Sequence, residues 1–360
     1  MKVAFPADII DADNINGQRR YAYSLITGLA DRGVDVTLLY SDLPESSIYK
    51  NIKKKAYRVG RLPFINKYIR DRLINYRSGD FDVFHDVTNY GMAPGRSKAK
   101  KIITLHDIGT FRLPQFYRDY TIKRMSGIQK ILKNTDAIIT VSRFQKKEIS
   151  EWFGFPDNRI FVVYHGVDTE RFGKTEDERM INCEYIMYLG NLVPRKGVHY
   201  LLRAFALVKD KIPHDLLLAG VRGYSSDSIF AMINELGLKT RVIVRESPDD
   251  SEVINYLSYA SVFVFPSLYE GFGMPPLEAM ACGCPVIASD NTSLKELYTG
   301  SAILIDPEDA DEFGNSILTL VNDEGLKKEL VSKGNEKVRE FPWDNTIKHT
   351  LKVYEKAMEN

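Results

Sequence analysis

Cysteine is scarce in this 360-residue chain. Its three cysteines, Cys183, Cys282 and Cys284, cannot build a disulfide framework and point to a reducing, cytoplasmic compartment. Cys282-Gly-Cys284 lacks the second ligand pair that a zinc site needs. No apolar run approaches the roughly 20 residues that cross a bilayer. The chain opens on a strand-like segment where a signal peptide would carry a basic and then an apolar region. Net charge is only +1 and no nucleic-acid motif is present, so nucleic acid is not an expected partner. What remains, at 44% hydrophobic and 27% charged residues, is an ordinary globular composition, long for one core and comfortable for two domains.

The small net charge conceals an asymmetry. Residues 1–170 hold 28 Lys/Arg against 19 Asp/Glu, a net of +9, and residues 171–360 hold 21 against 29, a net of −8. Between Lys50 and Arg77 ten basic residues face only Asp71, interleaved with Tyr57, Leu62, Phe64, Ile65, Tyr68, Ile69, Leu73 and Ile74. Such a basic amphipathic stretch fits either an anionic membrane surface, at about 1 kcal/mol per Lys or Arg, or a solvated helix face.

Short β-rich runs alternate with helical patterns throughout. In the first half the strand-like runs are Lys2–Phe5, Val34–Tyr40, Asp82–His85, Lys101–Leu105, Ala137–Val141 and Ile160–Tyr164. In the second they are Tyr185–Leu189, Asp215–Leu218, Arg241–Val244, Ser261–Phe265, Pro285–Ala288 and Ala302–Ile305. Ala22, Leu25, Ile26 and Leu29 recur at helical spacing after the first run, as do Val198, Leu201, Leu202 and Phe205 after Tyr185–Leu189. This alternation predicts doubly wound, parallel α/β sheets, one in each half. The polar stretch Thr169–Asn182 reads as the seam, and Trp343, Ile347, Leu351, Tyr354 and Met358 mark one face of a final helix.

The most informative stretch is Glu270-Gly-Phe-Gly-Met-Pro-Pro-Leu-Glu278. One carboxylate precedes a glycine-rich turn, and a second lies just inside the helix that the turn opens. Pro275 suits a first helical turn, where an N–H has no intrahelical partner. Gly271 and Gly273 allow close backbone approach, and the helix N-terminus attracts phosphate. A diphosphate over Phe272, Gly273, Met274 and Pro275 would leave Glu270 and Glu278 to accept hydroxyl hydrogen bonds on either side. Two glutamates at such a turn are more often a solvated loop, but the strand-like Val262–Phe265 before and Cys284–Ala288 after favour a site.

The whole run from Pro266 to Val286 resembles the paired-glutamate signature of retaining glycosyltransferases of family 4. That resemblance covers essentially the whole chain. It implies the GT-B fold: an acceptor-binding Rossmann-like domain over 1–170, with 343–360 packing back on it, and a nucleotide-sugar domain over 171–342. Two chain crossings and a hinge would follow.

The resemblance assigns roles residue by residue. Gly17, in the loop 14–21, approaches the donor diphosphate, although the family often has more glycine there. His106, at the end of Lys101–Leu105, touches the transferred sugar, while Asp107 either orients the imidazole or caps the next segment. Ser142 opens a segment lining the donor site, and His165-Gly-Val-Asp168 is read as structural. Arg195 and Lys196, in a Pro-Arg-Lys turn typical of a mannosyltransferase-rich subgroup, hold phosphate. The nucleobase falls near Val244–Ser247, where Arg245-Glu246 replaces the usual glycine.

Neither Asp11-Ala-Asp13 nor Asp309-Ala-Asp311 ends a strand as a metal-binding pair would, so no metal is expected. The resemblance implies a GDP-, UDP- or ADP-sugar donor, with mannose favoured, and no resident cofactor. From the basic N-terminal half, the expected acceptor is a glycan or lipid-linked hydroxyl, and the expected location cytoplasmic or peripheral on the membrane's inner face. The rival readings are a nucleotide-sugar 2-epimerase of the same fold and a non-catalytic sugar-nucleotide-binding subunit.

Overall fold

The computed structural model describes residues 1–8, 10–11, 17–44, 46–56, 67–88 and 95–359, with backbone alone for 67–72. The chain divides into two compact units. Met1–Arg112, Asp119–Gly166 and Trp343–Asn360 form the first; Leu113–Arg118 and Val167–Pro342 form the second. The division falls at Gly166, ahead of the polar stretch Thr169–Asn182. Val167 already belongs to the second unit, its N–H donating to the Phe341 carbonyl at 2.8 Å.

The first unit is built on a seven-stranded sheet, parallel at every pairing. Its strands are β1 (Lys2–Pro6), β2 (Asp35–Tyr40), β3 (Lys53–Ala56), β4 (Val83–Asp86), β5 (Lys100–Leu105), β6 (Ala137–Thr140) and β7 (Ile160–Val162). They lie in the order β3-β2-β1-β4-β5-β6-β7. Successive residues of a strand point to opposite faces. Val3 and Phe5 accordingly join one apolar cluster and Ala4 the other, as do Ile102 against Ile103 and Ile139 against Ile138. A sheet buried on both faces needs helices on both. The helix Gly17–Asp31 supplies Ala22, Leu25, Ile26 and Leu29 to one face, all fully buried.

One expectation needs correction here, the placing of Met358 on the buried face of the final helix, and the basic stretch takes a form that its composition does not show. The basic stretch Lys50–Arg77 contains a strand, β3, on the sheet's edge. Its lysines are engaged locally: Lys53 Nζ lies 2.7 Å from Asp35, Lys54 Nζ donates to the Tyr49 carbonyl at 2.6 Å, and Lys55 Nζ lies 3.3 Å from Asp80. Charged edges discourage further strand pairing. The helix Lys67–Ser78 follows, while Tyr57, Leu62, Phe64 and Ile65 lie outside the described residues. In the final helix Trp343–Glu359 the buried stripe is Thr346, Ile347, Thr350, Val353, Tyr354 and Ala357, and Met358 is exposed. Threonines sit in that seam because their hydroxyls are satisfied: Thr346 Oγ1 donates to the Tyr164 carbonyl and Thr350 Oγ1 to that of Thr346, both at 2.8 Å.

The second unit has a six-stranded sheet, also parallel at every pairing. Its strands are β8 (Tyr185–Leu189), β9 (Asp215–Gly220), β10 (Val242–Glu246), β11 (Val262–Phe265), β12 (Val286–Ser289) and β13 (Ile303–Ile305). The order is β10-β9-β8-β11-β12-β13. The helix Val198–Val208 buries Val198, Leu201, Leu202 and Phe205. No helix among the described residues is long and apolar enough to cross a membrane.

Candidate active site

In the second unit the chain order reverses between β8 and β11. Open parallel sheets bind ligands beyond the carboxyl ends of the strands at such a switch point. The segments leaving those two ends are 190–197 and 266–278, the two that the sequence singles out for the donor. Gly197 joins them. Its φ is +71°, and a Cβ there would lie 1.8 Å from the Pro266 carbonyl oxygen, so glycine alone permits the two backbones to cross.

The turn Pro194–Lys196 is stitched to the signature loop. Leu268 N–H donates to the Arg195 carbonyl at 3.0 Å, and Arg195 Nη1 donates to the Tyr269 carbonyl at 2.6 Å. Lys196 then ion-pairs with Glu270, the two side chains only 14% and 10% exposed. Burial alone would raise the Glu270 carboxyl's pKa. The cations of Lys196 and Arg195, with hydrogen bonds from Lys196 and Ser267, outweigh burial and hold it below the usual value.

A second layer supports this loop from the segment following β12. Ser293 Oγ donates to the carbonyls of Glu270 at 3.0 Å and Phe272 at 3.2 Å. Asn291 Nδ2 donates to those of Ser267 at 3.2 Å and Leu268 at 3.0 Å, and the Tyr298 hydroxyl donates to that of Gly273. Asn291, Ser293 and Tyr298 escape a reading of the sequence, because polar residues at a helix start look like ordinary caps and a tyrosine at the end of the helix Thr292–Tyr298 looks like core. The only signal, for Asn291 and Ser293, is the polar run 289–293 directly after the apolar Val286-Ile-Ala288.

Gly273, at φ +89°, precedes the helix Met274–Ala281, with Pro275 and Pro276 in its first turn and no acidic residue there. That end carries partial positive charge. Phe272 is buried with its ring edge-on to Phe341 at 5.8 Å, which gives it a place in the core. Glu278, one turn into the helix, is 5% exposed. Burial first, then its charge and that of Glu270, raise the Tyr298 hydroxyl well above the ordinary value. In the segment assigned to the nucleobase, Glu246 receives Arg222 Nε at 2.7 Å.

The remaining site residues lie in the first unit. His106 leaves the carboxyl end of β5 and is 8% exposed. Its Nε2 sits 2.9 Å from the Val87 carbonyl and its Nδ1 3.3 Å from His165 Nε2. Burial lowers its pKa, against opposing effects of the Val87 bond and Asp107. Asp107 caps the next segment, accepting from Gly109 N–H at 2.9 Å. Ser142 is fully buried and caps the helix Arg143–Phe153, its Oγ accepting from Gln145 N–H at 3.1 Å. Gly17 opens the helix Gly17–Asp31, and no described atom lies within 4 Å of the place a Cβ would take, so packing does not require glycine there. Residues 14–16 of that loop lie outside the described residues.

Among the described residues no group of three or more His, Cys, Asp or Glu is placed to hold a metal ion. Asp309 caps the helix Ala310–Asn322 through Glu312 N–H at 2.9 Å. Asp11 accepts from the Tyr40 hydroxyl at 2.5 Å and Ile48 N–H at 3.1 Å; Asp13 lies outside the described residues.

Comparison with known proteins agrees with this geometry. Residues 15–171 match the model of Glycosyltransferase Family 4, and residues 175–337 that of Glycosyl transferases group 1. O-antigen chain mannosyltransferase B of Escherichia coli is 30% identical over 267 residues, covering 71% of this chain and 70% of that protein. An uncharacterized glycosyltransferase of Methanocaldococcus jannaschii is 30% identical, covering 99% and 98%. HepE of Anabaena, solved with UDP and glucose, superposes with a TM-score of 0.79 at 16% identity, covering 99% of this chain and 100% of that one. The chain belongs to the family 4 glycosyltransferases of the GT-B fold and is a mannosyltransferase-like hexosyltransferase.

Proposed function

We propose that this glycosyltransferase moves a hexose, mannose before others, from a nucleoside diphosphate to a hydroxyl of a glycan or lipid-linked acceptor, with retention of anomeric configuration. The observation that carries the reading is the buried Lys196–Glu270 pair at the switch point of the second sheet. A carboxylate held ionised beside two cations suits a site that must take sugar hydroxyls and diphosphate together. In this reading Glu270 accepts from the sugar's hydroxyls and Glu278 from the ribose. Arg195, Lys196 and the start of Met274–Ala281 offset the diphosphate's charge, so no divalent metal is required. His106 orients the transferred sugar, while Gly17 and Ser142 belong to the donor site's surroundings.

None of these carboxylates is assigned as a covalent nucleophile, which favours a front-face displacement. The departing phosphate oxygen takes the acceptor's proton as the C1–O bond to the acceptor forms. The protein's contribution is then positioning and charge stabilisation. Mannose is favoured by the Pro-Arg-Lys turn and the mannosyltransferase relative; a UDP donor is the alternative that the Anabaena neighbour supports.

The test is a thermal-shift panel of GDP, UDP and ADP with their common sugars, with and without EDTA, followed by anomeric NMR of any product. A selective, EDTA-insensitive shift with GDP-mannose and an α-linked product are expected. Silence across the panel, or an inverted product, would overturn the reading.

A further inference from the structure

We infer that His165 is a positioning residue for His106, fixing by a direct ring-to-ring hydrogen bond the tautomer and the orientation of the ring that lies beside the transferred sugar. The inference deepens the proposed function and rests on the sugar-orienting role given to His106 there.

The proton arrangement follows from the partners. The Val87 carbonyl can only accept, so His106 Nε2, at 2.9 Å, carries a proton and donates it. In a neutral imidazole the other nitrogen then holds a lone pair. His106 Nδ1 therefore accepts, and His165 Nε2, 3.3 Å away, must be the donor. Both rings are kept neutral by their surroundings: burial first, then their mutual repulsion when charged, hold His165 well below the ordinary histidine value, and burial lowers His106. A neutral pair has one consistent reading, His165 Nε2–H to His106 Nδ1 and His106 Nε2–H to Val87.

The surroundings leave the rings little freedom. Their planes lie 28° apart with centroids at 5.2 Å, the edge-to-edge arrangement that a ring-to-ring hydrogen bond needs. Tyr21 meets both edge-on, at 4.9 Å from His106 and 4.6 Å from His165. Each such contact is a favoured aromatic geometry. Tyr21 is anchored in turn, its hydroxyl 3.4 Å from Thr104 Oγ1, which lies 2.8 Å from His85 Nε2. His106 is thus held on two sides by hydrogen bonds and on a third by a ring, which is what a side chain that must orient a substrate requires. His165 stands 59 residues further along the chain and reaches this place only through the fold.

The experiment compares wild type with His165→Phe, which keeps a ring for Tyr21 but removes the donor, and His165→Gln, whose amide N–H returns a donor. Imidazole ¹⁵N spectra of the labelled full-length chain are expected to show His106 as the Nε2–H tautomer in wild type and His165→Gln, and a mixture in His165→Phe. With GDP-mannose and methyl α-mannoside, kcat should fall about 100-fold in His165→Phe, with KM for GDP-mannose nearly unchanged and with most of the rate restored in His165→Gln.

A His106 protonated on Nδ1 in the wild type would overturn the inference. So would a folded His165→Phe that keeps the wild-type rate, or a His165→Gln no better than His165→Phe. A wild-type chain that turns over no nucleotide sugar would count against the proposed function, while the ¹⁵N spectra still decide the hydrogen bond.

Discussion

Lys196 and Glu270, 74 residues apart, form a buried ion pair where the exits of β8 and β11 meet. Breaking such a pair leaves an uncompensated charge in low dielectric, at a cost of about 3 kcal/mol. Lys196→Met should therefore lower both the melting temperature and kcat/KM, the latter by about 100-fold. The double variant Lys196→Met, Glu270→Gln should regain much of the stability and none of the activity. A double-mutant cycle checks this; additive losses in stability would refute the coupling.

Gly197→Ala should be among the most damaging small substitutions in the chain. Alanine at φ +71° carries a left-handed backbone cost of about 1–2 kcal/mol, and its Cβ would meet Pro266 backbone, which cannot swing aside. We expect a melting temperature several degrees lower and no nucleotide-induced shift. Retention of both would place the turn elsewhere.

Acid should destabilise the first unit through its buried histidines. Burial first, then His106, depress the His85 pKa from 6.5 to about 3. Above pH 6.5 the group is neutral folded and unfolded and has no effect. Between pH 6.5 and about 3 only the unfolded chain takes the proton, so stability falls as pH falls, by about 1.4 kcal/mol per pH unit per histidine. Glu270, with a depressed carboxyl, adds its loss only in the more acidic range below its ordinary 4.5. Calorimetry from pH 7 to 5 should show a falling melting temperature, with a shallower fall in His85→Gln, since His106 and His165 are also depressed by burial. A flat wild-type profile would contradict it.

Gly28→Ala ought to stabilise a helix interior by about 1 kcal/mol. Here we expect the reverse, because the new Cβ would sit 2.3 Å from Ile347 Cδ1 on the final helix. Overpacking of this kind costs about 1–3 kcal/mol. Combining it with Ile347→Val, which removes that methyl, should recover the loss; a stabilised single variant would show that the two helices have room to part.

Legibility of the fold tracks the burial of each strand. The runs around Val36–Tyr40, Tyr185–Leu189 and Val262–Phe265 are apolar because both faces are covered, and they are readable at once. Lys53–Ala56 is not, since an edge strand with lysines on it has the composition of a loop or a solvated helix. In the final helix the apolar pattern puts Met358 on the buried face. The structure puts Thr346 and Thr350 there instead, because a threonine that bonds a backbone carbonyl packs like an apolar residue.

Sequence alone determined the two doubly wound sheets and the local chemistry of 270–278. Glycine, proline and carboxylate act there over a few residues, through backbone freedom and charge. It also pointed to Arg195 and Lys196, since a basic turn after a strand is a local pattern. Only the tertiary structure decided that Lys196 faces Glu270, that Ser293 and Tyr298 hold the loop from beneath, and that His165 holds His106. Those partners are brought together by strand order and helix packing, and a hydrogen bond between residues 59 apart leaves no trace in the spacing of either.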